Sequence, residues 1–229
     1  MASSVQNWFP FDLRPAIDEV IHRVDFSWFL KDKVQAVLPG SEPFWIVNRE
    51  KFDAYLLKQA VSAGTELLNP VSVTDVNKLK ETWQITCNNG KQLEARSLII
   101  ADGSNSPWPL RLGLGPRKQN HALTTSVRLE GRGNLEEGVA RFEFGLVHHG
   151  FAWAFPISNG INVGVGTFIG NQKLDSIKVL DKFLPSLGFD PSAGHKQHSK
   201  LRIWNGHHKI HGQGIVLVGD AASLCDPFL

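Results

Sequence analysis

Two short apolar runs with the same kind of ending constrain this fold more than any other feature of the sequence. Residues 98–101 are followed by Asp102-Gly103, and residues 215–218 are followed by Gly219-Asp220. Short, wholly apolar runs are typical of strands buried on both faces of a parallel sheet. Ligands of such sheets bind at the carboxyl ends of the strands, where a carboxylate accepts hydrogen bonds from sugar hydroxyls and glycine lets a phosphate approach the backbone. Asp-Gly is also common turn chemistry, but two such sites in one chain favour a ligand site.

Between these runs the pattern changes from helix to strand. Residues 49–63 are predicted to form a helix, because Phe52, Leu56 and Ala60 recur every four residues and Asn48 can cap the first turn. After this helix come extended runs that are bounded by glycine or asparagine. The predicted strands and the second predicted helix are 71–76, 82–87 and 92–95, then several runs within 122–167, and the helix 174–184.

The first 45 residues show little periodicity. Residues 18–24 could form a short helix, but an irregular subdomain that buries the aromatic residues of this segment is preferred. The order of elements predicts an α/β domain with mixed α+β character, interrupted by an antiparallel β-sheet domain.

Composition excludes several classes of protein. Twenty-four Lys and Arg against 22 Asp and Glu give a net charge of +2, which argues against a nucleic-acid partner. Cys87 and Cys225 lie far apart, so no disulfide scaffold is expected and a reducing, cytoplasmic location is favoured. No targeting or membrane-spanning segment is visible, although association with a membrane surface stays open. No metal site is expected, because the histidines near residue 208 lack Cys or carboxylate partners at ligand spacing.

One strand carries two large rings on the same side. Trp153 and Phe155 alternate with alanines, and on another strand Gly164 and Gly166 leave a bare face. Rings beside a glycine floor would form a slot for a long, flat, apolar ligand. The alternative is that both rings fill the core of the second domain.

Four segments share their motifs with one family of proteins. They are Val47-Asn48-Arg49-Glu50-Lys51-Phe52-Asp53, Ala101-Asp102-Gly103-Ser104-Asn105-Ser106, Phe151-Ala152-Trp153-Ala154-Phe155-Pro156, and Val218-Gly219-Asp220-Ala221-Ala222-Ser223 with Asp226-Pro227-Phe228. On these segments, within about residues 45–229, the chain resembles flavin-dependent enzymes of the para-hydroxybenzoate hydroxylase superfamily. Within that superfamily it is most similar to the geranylgeranyl reductase branch. Phe151 and Ile157 stand where that branch has tyrosine and lysine.

The resemblance implies cofactors and roles, with FAD bound and NADPH as the reductant. It implies a partial flavin-binding, Rossmann-like domain at 1–120, a substrate domain at 121–205 and a return to the first domain at 206–229. It names no residue for acid–base catalysis. The implied roles are flavin contact for Arg49, pyrophosphate and NADPH use for Asp102 and Gly103, ribityl binding for Gly219, Asp220 and Ala221, the isoalloxazine loop for Pro227, and prenyl contact for Trp153 and Phe155.

The implied activity is reduction of C=C bonds in a prenyl chain. An FAD-dependent aromatic monooxygenase, a halogenase and an inactive fragment of such an enzyme are the alternatives. The family has a Gly-x-Gly-x-x-Gly turn before its Arg49 region, whereas residues 1–48 contain one glycine, Gly40. We therefore expect an internal piece of a longer enzyme, lacking N- and C-terminal parts and inactive by itself.

Overall fold

The computed structural model describes residues 1–168 and 175–226. The α-helices are α1 (Arg49–Ser62), α2 (Trp108–Arg111) and α3 (Ser176–Ser186), and short 3-10 turns lie at Ser3–Trp8, Arg14–Ala16 and Gly219–Ala222. The strands, in chain order, are β1 (Glu19–Ile21), β2 (Arg23–Trp28), β3 (Lys31–Val37), β4 (Phe44–Ile46), β5 (Val73–Lys78), β6 (Trp83–Cys87), β7 (Gln92–Ala95), β8 (Leu98–Ile100), β9 (Asn120–Glu130), β10 (Val139–Phe144), β11 (Gly150–Ile157), β12 (Gly160–Thr167), β13 (Lys196–Ile203), β14 (His211–Gly212) and β15 (Ile215–Leu217).

Packing divides the chain into two compact units of discontinuous segments. The first unit contains Met1–Thr65, Leu123–Thr167 and Gln172–Ser199, and the second contains Glu66–Ala122, Phe168–Asn171 and Lys200–Leu229. Residues 1–65 thus pack with the larger sheet, whereas the family resemblance places them with residues 66–120. The three-part division at 120 and 205 stays a prediction.

The first unit is built on a seven-stranded sheet. Its strand order is β13-β9-β12-β11-β10-β2-β3. From β9 to β3 the neighbours are antiparallel except β10 and β2, which run parallel. The predicted antiparallel sheet is therefore a mixed sheet, because β2 joins it from far away in the sequence.

Helix α3 covers one face of this sheet and forms the core of the first unit. Phe183 of α3 is fully buried together with Ala152, Ala154 and Val163 of the sheet. Asp175 caps the helix by accepting a hydrogen bond from the Lys178 amide at 3.3 Å. The predicted helix 174–184 is confirmed from residue 176 onward, and residue 174 lies outside the described residues.

The start of the chain is more regular than the sequence indicates. The short helix suggested for residues 18–24 is wrong, because this segment forms β1 and the beginning of β2. Val20 pairs with Trp45 of β4, and Val24 lies between β3 and β10. Pairing with distant strands thus outweighs the weak helical pattern.

The second unit contains two small sheets. Strands β5-β6-β7 form an antiparallel sheet, and β14-β15-β8 form a sheet in which β15 and β8 are parallel. Strand β8 is not buried on both faces as predicted: Ile100 is in the core, but Ile99 is 66% exposed. Ile99 lines a cavity of this unit together with Val73 and Val76 of β5. The predicted α/β class with a parallel pair and a second sheet is confirmed.

Within residues 1–168 and 175–226, no helix is both long and apolar enough to cross a bilayer.

Candidate functional site

One face of the seven-stranded sheet carries a continuous layer of rings, here called the aromatic face. Alternation along β11 places Ala152 and Ala154 in the core under α3 and puts Trp153 on the opposite face. Phe142 of β10 pairs with Trp153, and Phe26 of β2 pairs with Phe142, so these rings share that face. The members of the aromatic face, all partly exposed, are Phe26, Phe142, Phe144, Phe151, Trp153 and Phe155.

The rings of the aromatic face contact one another. Phe142 lies 5.8 Å from Phe26, 5.5 Å from Phe151 and 5.3 Å from Phe155 between ring centroids. Trp153 and Phe155 are 6.3 Å apart and nearly parallel. These are favourable aromatic distances, and they make a firm apolar floor on the partly exposed side of the sheet.

Trp153 is fixed in place by the strand beside it. A Cβ at position 164 would lie 2.2 Å from Cζ2 of the indole, so the ring rests directly on Gly164. The indole Nε1 donates a hydrogen bond to Oδ1 of Asn162 at 3.2 Å. The predicted empty floor over Gly164 is therefore wrong, because the indole fills it. Trp153 and Phe155 lie opposite the α3 core and are partly exposed, and Phe155 also packs against a second buried cluster of Ile21, Val24 and Ala140. Their contact with a prenyl chain stays a prediction.

The sequence indicated only part of this face. Phe142 and Phe144 alternate along β10, which could have marked one strand with rings on one side. No local signal brings Phe26 beside them, because it arrives through the parallel β2–β10 pair.

In the second unit the two aspartate motifs meet as predicted. Strands β15 and β8 pair in parallel with Leu217 opposite Ile100, and the Val218 amide donates to the Ile100 carbonyl at 3.0 Å. Asp102 and Asp220 thus follow adjacent carboxyl ends of one sheet. Asp102 is exposed, whereas Asp220 is half-buried.

The glycines of both motifs leave open space. Gly103 has φ +82° and Gly219 has φ +56°, a left-handed backbone that favours glycine. Apart from the adjoining residues of the chain, no atom of the described residues lies within 4 Å of a Cβ built at either position. A ligand can therefore approach both backbones closely. Ala221 is fully buried in the core of this unit, so its side chain is not open to a ligand.

Arg202 of β13 is a further site residue that the sequence analysis did not identify. Its side chain is in the interior, and the residue is only 6% exposed. Nη2 donates to the Ser106 carbonyl at 2.7 Å, while Nε and Nη1 have no partner among the described residues. Burial lowers the pKa of the guanidinium, and the Asp102 and Asp220 carboxylates oppose that shift. Arg202 therefore lies within electrostatic reach of both aspartates.

Ser223 adds a second buried and unpaired group. It follows the 3-10 turn that carries Asp220, and its Oγ has no partner among the described residues. Unpaired buried donors are costly unless a ligand or water satisfies them. The two aspartates and the open glycines fit the hydroxyl and phosphate groups of a flavin nucleotide, whereas the unpaired atoms of Arg202 and Ser223 are themselves buried.

The other predicted residues lie elsewhere. Arg49 begins α1 in the first unit, is exposed and forms an ion pair with Asp53 at 3.0 Å. Pro227 lies outside the described residues. In the part of the chain that the structure describes, no three His, Cys, Asp or Glu side chains form a metal-binding group. The assignments of Arg49, Asp102, Gly103, Gly219, Asp220, Ala221 and Pro227 to cofactor binding stay predictions.

Comparison with known proteins gives relatives but no matching family model. A digeranylgeranylglycerophospholipid reductase of Methanococcus vannielii is 26% identical over 215 residues, which cover 82% of this chain and 50% of the relative. A geranylgeranyl bacteriochlorophyll reductase-like structure from Thermoplasma acidophilum has a TM-score of 0.84 and 21% identity, covering 99% of this chain and 61% of that one. A variant of the halogenase PltM in complex with FAD has a TM-score of 0.68 and 15% identity, covering 93% and 49%.

The predicted resemblance to geranylgeranyl reductases and the flavoprotein fold are both confirmed by these relatives. The chain spans about half the length of the curated relatives it matches.

Proposed function

We propose that this chain supplies the substrate sheet and part of the flavin site of an FAD-dependent oxidoreductase. The proposed reaction is reduction of isolated C=C bonds in a prenyl chain with electrons from NADPH. The observation that supports this function best is the aromatic face, in which six partly exposed rings contact one another on one side of the seven-stranded sheet. Relatives named as reductases of geranylgeranyl lipids support the same substrate class.

The aromatic face suits a prenyl chain for a physical reason. Partly exposed rings offer apolar area without hydroxyl groups, and burying that area against an unsaturated hydrocarbon removes both surfaces from water. Because position 164 has no side chain, the Trp153 ring rests directly on the sheet as part of this floor. The rings would orient the double bonds and exclude water around them.

The polar groups of the second unit would hold the cofactor. Asp220 would accept hydrogen bonds from ribityl hydroxyls, and Asp102 with Gly103 would face the pyrophosphate. The buried Arg202 guanidinium would add positive charge near both aspartates, without touching the cofactor. When bound, FAD supplies hydride chemistry that no side chain provides. We assign no side chain to acid–base catalysis.

A flavin monooxygenase or halogenase is the second candidate. The observation that favours it is the likeness of fold to the halogenase PltM. An aromatic substrate would also stack on rings such as Phe142 and Trp153. Such an enzyme consumes oxygen, whereas a reductase does not. A catalytically inactive fragment is the third possibility, and it would bind without turnover.

The proposed ligand is a lipid. We therefore propose a cytoplasmic protein with access to a membrane surface, a small apolar molecule as its substrate and no nucleic-acid partner.

The experiment uses a longer enzyme that contains these 229 residues, because the chain alone is expected to carry no flavin. It measures NADPH oxidation with added FAD and a geranylgeranyl lipid, while oxygen uptake is recorded in parallel. Mass spectrometry of the lipid then counts hydrogens gained. We expect NADPH oxidation without oxygen uptake and a lipid with fewer double bonds. Oxygen uptake with a hydroxylated or halogenated product would favour the second candidate, and prenyl binding without any turnover would favour an inactive fragment.

A further inference from the structure

A small cavity adjoins one end of the aromatic face. It has a volume of about 150 Å³, well above the roughly 10–15 Å³ that one water needs. Phe155 belongs both to the aromatic face and to the wall of this cavity. The cavity, here called the donor cavity, is lined by Ile46, Val47, Asn48, Arg128, Phe155, Ile157 and Asn162.

The polar groups that line the donor cavity are hydrogen-bond donors without partners. Oδ1 of Asn162 accepts from Trp153, and Oδ1 of Asn48 accepts from the Glu50 amide at 3.0 Å. The NH₂ groups of both side chains have no partner among the described residues. Arg128 is exposed at the rim, and it forms no hydrogen bond or ion pair with any described side chain.

None of the residues that line the donor cavity is acidic. Asp18 and Glu19 lie beside Ile46, because the Asp18 amide donates to the Ile46 carbonyl and Glu19 is the strand partner of Ile46. One oxygen of Asp18 accepts from the Ser158 amide at 3.0 Å and the other faces Lys51 at 3.7 Å, while Glu19 forms an ion pair with Arg132. Glu50 is exposed and follows Asn48 by two residues. The lining itself thus offers one positive charge and two amide donors.

We propose that the donor cavity binds the anionic phosphate head of the substrate whose apolar chain lies on the aromatic face. An arginine and two amide donors match the acceptor oxygens of a phosphate ester, since arginine forms charge-assisted bonds to such groups. Phe155 joins the two surfaces, so one amphiphile can occupy both. This inference rests on the proposed function, because it assumes that the aromatic face binds a prenyl chain.

A phosphate could come from a lipid head or from a dinucleotide. The shared wall at Phe155 favours the lipid, because a dinucleotide has no long apolar chain to extend along the rings. The two sources are separable, since geranylgeranyl phosphate and geranylgeraniol differ only in the phosphate, whereas ADP carries phosphates without the prenyl chain.

The experiment measures equilibrium binding of labelled geranylgeranyl phosphate, geranylgeraniol and ADP to the 229-residue chain below the micelle concentration. We expect the phosphate to bind about 10–100-fold more tightly than the alcohol, as for a group worth roughly 1.5–3 kcal/mol. Arg128→Gln should reduce that ratio to near one and leave geranylgeraniol binding unchanged. Arg96→Gln, at another exposed arginine, is the matched control and should retain the ratio.

A second variant, Asn162→Asp, tests the same assignment in case Arg128→Gln does not fold. Asn162→Asp keeps an acceptor for the Trp153 indole but replaces the free NH₂ by a charged oxygen, so it should weaken only geranylgeranyl phosphate binding. If the phosphate and the alcohol bind equally, or the ratio survives in Arg128→Gln, the head-group assignment is overturned while the proposed function stands. If Arg128→Gln weakens ADP but not the prenyl phosphate, the source is a dinucleotide and the assignment is also overturned. If neither prenyl ligand binds, the proposed function itself is overturned.

Discussion

At the scale of single residues, a substitution of Trp153 can distinguish an effect on ligand binding from an effect on the free energy of unfolding. Its ring rests on Gly164 and faces away from the α3 core, whereas Phe183 is fully buried in that core. A half-buried ring leaves a smaller cavity when it is removed, because part of its surface was in water already.

We expect Trp153→Ala to weaken prenyl binding with a modest loss of stability. Phe183→Ala should cost about 3–5 kcal/mol of unfolding free energy, and Trp153→Ala less than half of that. Urea unfolding and ligand titration on the same preparations measure both effects. A large loss of stability with unchanged prenyl affinity would remove Trp153 from the site.

The two aspartates of the second unit should differ in their effect on flavin. Asp220 is half-buried and Asp102 is exposed, so water screens hydrogen bonds to Asp220 less. We expect Asp220→Ala to weaken FAD binding about 10–100-fold, and Asp102→Ala to weaken it less. Both changes are made in a longer enzyme that contains these 229 residues, and titration with FAD, followed by flavin fluorescence, makes the comparison. Equal losses would contradict this ranking.

Cys225 predicts how the free energy of unfolding changes with pH in the alkaline range. Burial, with Asp220 and Asp226 nearby, raises the pKa of its thiol above the ordinary 9.0. The folded state therefore holds this proton more tightly than the unfolded state. Its contribution to stability is complete below pH 9.0 and is lost as the pH rises through the folded pKa. In Cys225→Ala that part of the alkaline loss should be absent, as measured by urea unfolding on both sides of this pH. An unchanged alkaline slope would contradict the expectation.

At the scale of elements, β11 and β12 depend on each other through one ring and one glycine. Gly164→Ala places a methyl group where Cζ2 of Trp153 now lies, so the indole must leave the sheet and lose its bond to Asn162. We expect a cost of about 1–3 kcal/mol in unfolding free energy. In a Trp153→Ala background the same change should be nearly neutral. This double-mutant cycle should give a coupling of at least about 0.5 kcal/mol, and simple additivity would contradict the packing described.

Local patterns along the sequence were enough to predict some elements. The helix α1, the hairpin of β6 and β7, and the meeting of the two aspartate motifs follow from periodicity, turns and strand polarity. The aromatic face could be predicted only in part, because Phe26 reaches it by pairing with a strand more than a hundred residues away. Arg202 could not be predicted, since nothing around it in the sequence shows that it is buried near Asp102 and Asp220.

At the scale of the whole molecule, the proposed flavin site lacks one group that the family resemblance implies. The second unit offers Asp102 and Asp220, yet residues 1–48 hold a single glycine and no glycine-rich turn to bind a pyrophosphate. We expect the 229-residue chain, purified alone, to carry no stoichiometric flavin. Its visible absorbance measures this directly, and a full flavin spectrum would show that other groups replace the turn.

The parallel pair β2–β10 also affects the order in which the strands can pair during synthesis of the chain. Ser27 of β2 and Glu143 of β10 are hydrogen-bonded although 116 residues separate them. During synthesis at about 5–20 residues per second, the β2–β3 hairpin therefore waits roughly 6–23 s before its partner strand leaves the ribosome. Throughout that interval β2 exposes an unpaired edge and the ring of Phe26 to solvent, and such exposed edges favour pairing with other nascent chains. This hairpin is thus where a holdase chaperone would be needed, long before the sheet can close.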